Sequence, residues 1–448
     1  MTCLTWNLLK NAWPLLLAGL LLTSCAAPDG RALEDVGRRV EARTGKALGS
    51  PAAAAPLLAQ PLTADSAARV ALLGNRAFLA RLEDVGIAQA DLVEAGLLEN
   101  PRLFGSARFP DRAPRAANLE AGLGGNVLDL LTRPLRRRVA AAELEKTKLE
   151  VAHDAIALVA ETKEAVYALQ AREQLLERLE LAAKAGQAAL EVSAELRKAG
   201  NITELDLANQ QAAYDETRLE LDEVRTEITA HREKLNRLLG TQDWRVRDGL
   251  PELPGSDPAE ARLEALALDQ RYDLLAGRLE LEALARALKL THTYRFLGTL
   301  EVGVSAERES EGTNLAGPEL TVELPIFHQG QARIAKLEAQ LRQAERRFEG
   351  AALDARSEVR EARAELAAGR RRVGYYAGSV LPNRAKIVKE SLLQYNAMQI
   401  GPAELLLARE SQLKAERGYA EALEGYWTAR ARLEAAVGGN LDGEERSK

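Results

Sequence analysis

Residues 317–348, GPELTVELPIFHQGQARIAKLEAQLRQAERRF, change hydrophobic period halfway along. Leu320, Val322, Leu324 and Ile326 alternate with Thr321 and Glu323, the two-residue period of a strand with one apolar and one polar face. After Gly330 the period switches. Ile334, Leu337, Leu341, Ala344 and Phe348 recur at three-four spacing, the seam of a helix that packs as a coiled coil. A strand with an apolar side thus feeds directly into a long helix.

The chain around this junction repeats the plan. Upstream, Leu300, Val302, Val304 and Ala306 alternate with Glu301, Gly303, Ser305 and Glu307, and a turn is expected at 310–316. Earlier still, Leu103, Gly105, Ala107 and Phe109 form one alternating set, and Leu119, Ala121, Leu123 and Val127 form another. Strands are therefore expected at about 102–109, 118–128, 298–308 and 318–327. A helical pattern runs from about Arg136 to Lys198, and its 63 positions would span roughly 95 Å at 1.5 Å per residue. Ala199-Gly200-Asn201 breaks it. A second helix then carries Tyr214, Thr217, Leu221, Val224, Ile228, His231, Leu235 and Leu238 at heptad spacing. With an offset of 198, Ile202, Leu207, Lys234, Leu235 and Gly240 fall on Ile400, Leu405, Arg432, Leu433 and Gly438. A period of this size marks duplication of a whole module.

Composition agrees with rods: aromatic residues are 4% and charged residues 28% of the 448, the usage of long helices and coiled coils. The formal net charge of −6 carries no basic footprint, which argues against a nucleic-acid partner. The four histidines are scattered and no catalytic constellation is visible, so neither an enzyme nor a resident metal or cofactor is expected. Gly45-Lys46 resembles the end of a phosphate-binding loop, but Val40 and Ala47 stand where a glycine and a Ser or Thr are required.

At the N-terminus, Lys10 precedes an apolar run at 14–22, too short for a permanent span. Leu22-Thr23-Ser24-Cys25 resembles a bacterial lipobox. Residues 1–24 are therefore expected to be a lipoprotein signal peptide, leaving Cys25 as the acylated (palmitate) lipid anchor. Each buried CH₂ of an acyl chain contributes about 0.8 kcal/mol. No apolar run of 18 residues follows, so any crossing must use strands.

The expected layout is a tether at 25–65, a first module at 66–240 (a helix at about 66–95, then the strands and a helical hairpin at 134–240) and a connector at 241–260. A second module follows at 261–438, with a helix at 261–290 and a hairpin at 330–438, and a disordered tail at 439–448. The fold class is mainly α with a small β part, each module being two strands plus a long coiled-coil hairpin. Four strands cannot close a membrane barrel, so they must be pooled between copies.

Leu97-Leu98-Glu99-Asn100-Pro101, Gly200-Asn201-Ile202 with Leu205-Asp206-Leu207, and Leu324-Pro325-Ile326-Phe327 followed by Gly330 and Arg333 resemble the outer-membrane efflux protein (TolC) family, over about residues 66–438. The resemblance implies a homotrimer, a 12-strand β-barrel in the outer membrane of a Gram-negative bacterium, and an α-helical tunnel continuing it through the periplasm. It implies a passive exit duct for drugs or metal ions, fed by a periplasmic adaptor and an inner-membrane pump of the RND type. Leu300, Val302, Val304, Leu320, Val322 and Leu324 are expected to face outer-membrane lipid, with Tyr294, Phe296 and Phe327 as interfacial aromatics. The resemblance implies hairpin tips at Gly200, Asn201, Ile202, Gln399, Ile400 and Gly401 that meet the adaptor. It further implies an acid just past the tip facing the lumen: Asp206, and Glu404 through the offset. Met398 and Gln399 depart from the first tip's Gly200 and Asn201. Two alternatives are the exit duct of a type I protein-secretion system and, in another class, a structural coiled-coil envelope lipoprotein.

Overall fold

The computed structural model describes residues 30–112, 116–257, 262–296 and 299–441, with the side chains of 402 and 403 left aside. The expected signal peptide at 1–24 and the expected lipid anchor Cys25 lie outside the described residues. In chain order the elements are α1 (Arg31–Thr44), α2 (Ala64–Gly74), α3 (Arg76–Gly96), β1 (Arg102–Arg108), β2 (Asn118–Asn126), α4 (Val127–Lys198) and α5 (Glu204–Leu239). The second half adds α6 (Leu263–Gln270), α7 (Tyr272–Tyr294), β3 (Leu300–Arg308), β4 (Asn314–Val322), α8 (Gln331–Tyr375), α9 (Leu381–Asn396) and α10 (Pro402–Val437). The chain divides into two compact units, one holding Glu83–Lys148 and Ala276–Phe348, the other Val36–Leu82, Leu149–Leu275 and the chain from Glu349.

The first unit carries the sheet. Its strands run antiparallel in the order β1-β2-β3-β4, so the two halves of the repeat join through the β2–β3 pairing. Register places like with like. Leu103 sits opposite Leu123, Leu123 opposite Val304, Val302 opposite Leu320, and Leu300 opposite Val322, which makes one face apolar across all four strands. Residues paired across a ladder share a face, so the other face carries Arg102, Glu120, Glu301, Glu307 and Glu319.

Several expected boundaries are corrected. β4 starts at Asn314 and ends at Val322, so the preceding turn is shorter than 310–316 and Leu324 lies beyond the strand. The last rung is the Glu323 amide donating to the Thr299 carbonyl (2.9 Å); Pro325 has no N–H with which to continue. β2 stops at Asn126, because the Asn126 side chain accepts from the Leu128 amide (3.0 Å) and starts α4 at Val127, not near residue 134. Pro134 therefore lies inside the helix, at the loss of one backbone bond.

The second unit is helical. The expected helix at 66–95 is two helices, because the Asn75 backbone is extended and its side chain accepts from the Phe78 amide (2.9 Å), capping α3. The Asn75 amide also donates to the carbonyl of Leu238 (3.0 Å), seating this break on the end of α5. Gly74 and Gly240 touch there: a Cβ on Gly240 would lie 2.1 Å from the Gly74 carbonyl oxygen. Likewise the expected helix at 261–290 breaks at Arg271, whose backbone lies against Gly438, the C-cap of α10. Helix starts, ends and caps of α5 and α10 thus repeat with the 198-residue offset seen in the sequence.

Heptad residues become core: Val224, Ile228, Leu235 and Leu238 on α5 and Ala422, Tyr426, Ala429, Leu433 and Ala436 on α10 are buried. Burying one large aliphatic side chain contributes about 1.5–3 kcal/mol. Within the first hairpin, Glu173–Arg232 (2.8 Å) and Glu180–Arg225 (2.9 Å) join residues on opposite sides of the tip, as antiparallel helices require. Lys163 of α4 reaches Glu434 of α10 (2.7 Å) and Asp65 of α2 (3.3 Å). Burial works against its charge, but these carboxylates outweigh it and raise its pKa.

The connector is fastened, not loose. Leu62 forms a parallel bridge with Val246, Arg370 grips Asp257 with two bonds of 2.7 Å, and the Tyr426 hydroxyl donates to the same carboxylate at 2.7 Å. The expected tail is also partly ordered, since the Asn440 amide donates to the Arg43 carbonyl (2.7 Å). The helix after β4 is interrupted by a wider, π-type turn at Tyr376–Val380, just before Pro382.

Candidate functional site

Two regions carry the residues singled out in the sequence, and each is built differently. In the sheet unit, Val302, Val304, Leu320 and Val322 lie on the apolar face and are exposed (Val304 by 61%, Leu320 by 65%), with Leu300 half-buried beside them. Leu123 continues the patch onto β2 and Leu103 onto β1. An exposed apolar surface spanning every strand of a sheet has no place in water and marks contact with lipid or another protein. Among the described residues, no helix is long and apolar enough to cross a membrane.

The three aromatics lie just outside the strands. Tyr294 ends α7, Phe296 lies two residues beyond it under the Arg295 guanidinium (4.4 Å to the ring centre), and Phe327 sits five residues past β4. Phe327 is 92% exposed. The polar face is laced across strands: Arg102 meets Glu301 (3.2 Å), Arg108 meets Glu120 (3.5 Å), and the Asn118 amide donates to Glu307 (2.6 Å).

In the helical unit, both hairpin turns close with the same hydrogen bonds. At the first, the Asn201 amide donates to the Leu196 carbonyl (2.9 Å) and the Gly200 amide to Arg197 (3.0 Å), with Gly200 at φ +76°. That is a Schellman cap, which needs a left-handed residue and favours glycine. At the second, the Gln399 amide donates to Gln394 (2.9 Å) and the Met398 amide to Tyr395 (2.9 Å), with Met398 at φ +56°. Met398 thus does glycine's work with its side chain 94% exposed. Ile202 and Ile400 follow at matching positions and are half-buried.

Asp206 and Glu404 also occupy matching positions. Asp206 accepts from the Thr203 hydroxyl (2.7 Å) and amide (2.9 Å), while Thr203 Oγ1 accepts from the Asp206 amide (3.1 Å), a capping box at the start of α5. The hydroxyl bond first, then the amide bond, hold the Asp206 carboxyl below its ordinary pKa. Glu404 accepts from the Gly401 amide (3.0 Å) at the start of α10. Each of these carboxylates turns back to its own helix start, with Glu404 exposed and Asp206 half-buried.

Of the histidines, His231 is half-buried on the α5 seam; burial, then the neighbouring Arg172, lower its pKa and favour the neutral ring. Among the described residues no cluster of three or more His, Cys, Asp or Glu side chains is arranged to hold a metal ion. Two features escaped the sequence reading. The strain at Met398 was signalled only by its departure from Gly200. Phe104, on the polar face of β1, was hidden among the alternating residues of the other face.

The chain has the fold of TolC-like outer-membrane channels. It is similar to the CmeC outer membrane channel of Campylobacter jejuni (TM-score 0.73, 15% identity, covering 86% of this chain and 88% of that one). It is also similar to the open state of the MtrE outer membrane channel of Neisseria gonorrhoeae (TM-score 0.68, 17% identity, 84% and 88% covered). CusC, described as undergoing conformational changes that accompany folding and transmembrane channel formation, matches with a TM-score of 0.70 at 16% identity (84% and 92% covered). No family model and no curated protein sequence matches the chain.

Proposed function

We propose that this chain is the outer-membrane exit duct of a tripartite efflux system, a passive conduit for small molecules or ions. The observation that carries the proposal is the four-stranded sheet with one exposed apolar face, one charged face and two edges, β1 and β4, unpaired within the chain. Lipid does not tolerate open edges, and four strands are too few to close a barrel. Three copies supply twelve strands, with β1 of one copy pairing with β4 of the next around a symmetric ring. The apolar face then meets lipid and the charged face meets the water-filled lumen. The likeness in fold to outer-membrane channels supports the same arrangement.

In this reading the helical hairpins form the periplasmic tunnel. Their tips at 200–202 and 399–401 meet a periplasmic adaptor, with an inner-membrane pump of the RND type supplying the energy. Asp206 and Glu404 give six carboxylates around the mouth of a trimer, and an acylated Cys25 adds a tether to a body already held by its strands. A coiled-coil spacer lipoprotein would have no use for a sheet with an exposed apolar face. The test is purified protein in planar bilayers. Discrete single-channel current steps are expected; incorporated protein that passes no current contradicts the proposal.

A further inference from the structure

The polar face of the sheet contains a feature that a merely water-lined wall would not need. Phe104 stands on that face opposite Gly122 of β2, and its ring lies across the neighbouring strand: a Cβ on Gly122 would fall 2.3 Å from Phe104 Cζ. Gly122 must therefore be glycine for the ring to lie down. The next pair along carries a charge instead of a ring. Arg102 stands opposite Gly124, a second glycine of β2 on this face, and reaches Glu301 on β3 (3.2 Å). One side of the Phe104 ring is thus bedded on backbone while the residue remains 39% exposed. An aromatic ring so held presents its negative π-face to whatever passes over it.

The charges on this face set the sign of the visitor. Arg102 and Arg108 are paired with Glu301 and Glu120. Glu307 is hydrogen-bonded by Asn118, and neither it nor Glu319 has a cationic partner in the ion pairs of the described residues. The face is left with an excess of two carboxylates in each copy. Glu319 is on β4, the strand that closure sets beside β1 of the next copy.

We propose that this face carries a weak site for aromatic organic cations, with Phe104 as the stacking platform and Glu307 and Glu319 as the source of its negative field. The inference rests on the exit-duct reading, in which the polar face lines the lumen. It names the chemistry of the cargo favoured there: a flat ring attached to a fixed positive charge. A cation over an aromatic face is held by ring quadrupole and stacking together, at a strength suited to transient contact rather than retention.

Block of single-channel current separates the two claims. The probes are benzyltrimethylammonium, tetramethylammonium and benzenesulfonate, tested on the full-length protein and on Phe104→Leu, which keeps an apolar cover over Gly122 but removes the π-face. Benzyltrimethylammonium is expected to block the natural protein at the lowest concentration. Phe104→Leu should raise its half-blocking concentration about threefold to tenfold while leaving tetramethylammonium unchanged. Phe104→Tyr should restore the block, and Glu319→Gln should weaken both cations together. Equal block of Phe104→Leu and the natural protein, or benzenesulfonate blocking as well as the aromatic cation, overturns the inference and leaves the duct intact. Absence of current from every variant overturns the duct reading and this inference with it. Should Phe104→Leu not incorporate, the Glu319→Gln arm still decides, since unchanged block by both cations contradicts the proposed field.

Discussion

Replacing Met398 by glycine should stabilise the second hairpin tip. Met398 holds φ +56° in the Schellman turn that ends α9, a conformation costing an L-residue roughly 1–2 kcal/mol. Its side chain is 94% exposed, so almost no packing is lost with it. Glycine removes the strain but makes the unfolded tip more flexible, which takes back about 0.5–1 kcal/mol. The net gain is about 0.5–1 kcal/mol, or roughly a twofold to fivefold slowing of local opening. Amide hydrogen exchange reads this directly at Met398 and Gln399, whose N–H groups donate to Tyr395 and Gln394. The reciprocal change, Gly200→Ala, should speed exchange at Asn201 by a similar factor. Unchanged or faster exchange at 398–399 in Met398→Gly would refute the claim that this tip is strained.

Three further outcomes follow from other contacts. Gly240→Ala should destabilise the helical unit by about 2 kcal/mol or more, because the new methyl would collide with the Gly74 carbonyl at a left-handed position; thermal melting followed by circular dichroism measures it. Burial works to raise the Asp257 pKa, but hydrogen bonds from Arg370 and Tyr426 outweigh it and leave the carboxyl below its ordinary value. Its contribution is therefore complete above the unfolded value of about 3.9 and lost as pH falls through the lower folded value, so limited proteolysis at 241–257 should quicken at pH 3 and not at pH 5. Asp206→Asn with Glu404→Gln removes the proposed mouth charges while keeping an acceptor oxygen for each helix start. Reversal potentials in a salt gradient should lose cation preference at unchanged melting temperature, whereas retained preference with a lower melting temperature assigns these acids to capping alone.

Much of this architecture was legible because periods are simple. Leu300, Val302 and Val304 announce a strand face by alternation, and the α5 seam from Val224 to Leu238 announces a helix by heptads. What stayed hidden depends on partners remote in sequence. Asn75 ends one helix and caps another only because Leu238 offers its carbonyl, and Arg271 breaks a helix where Gly438 allows close approach. The turn expected at 310–316 gives way to strand from Asn314, since an edge strand accepts Pro318 where its N–H would face outward. The π-type turn at Tyr376–Val380 left no mark, since buried Val373 and Val388 on either side keep a helical pattern. At the tips, the positions of Asp206 and Glu404 followed from the repeat, but their turn toward Thr203 and Gly401 required atomic geometry.

A twelve-strand barrel requires strands pooled between copies, and the mass of the detergent-solubilised protein tests that most directly. Native mass spectrometry should give a complex of three chains that persists through gentle detergent exchange and separates into single chains on denaturation. A complex of one or two chains would contradict the twelve-strand barrel, and with it the exit duct.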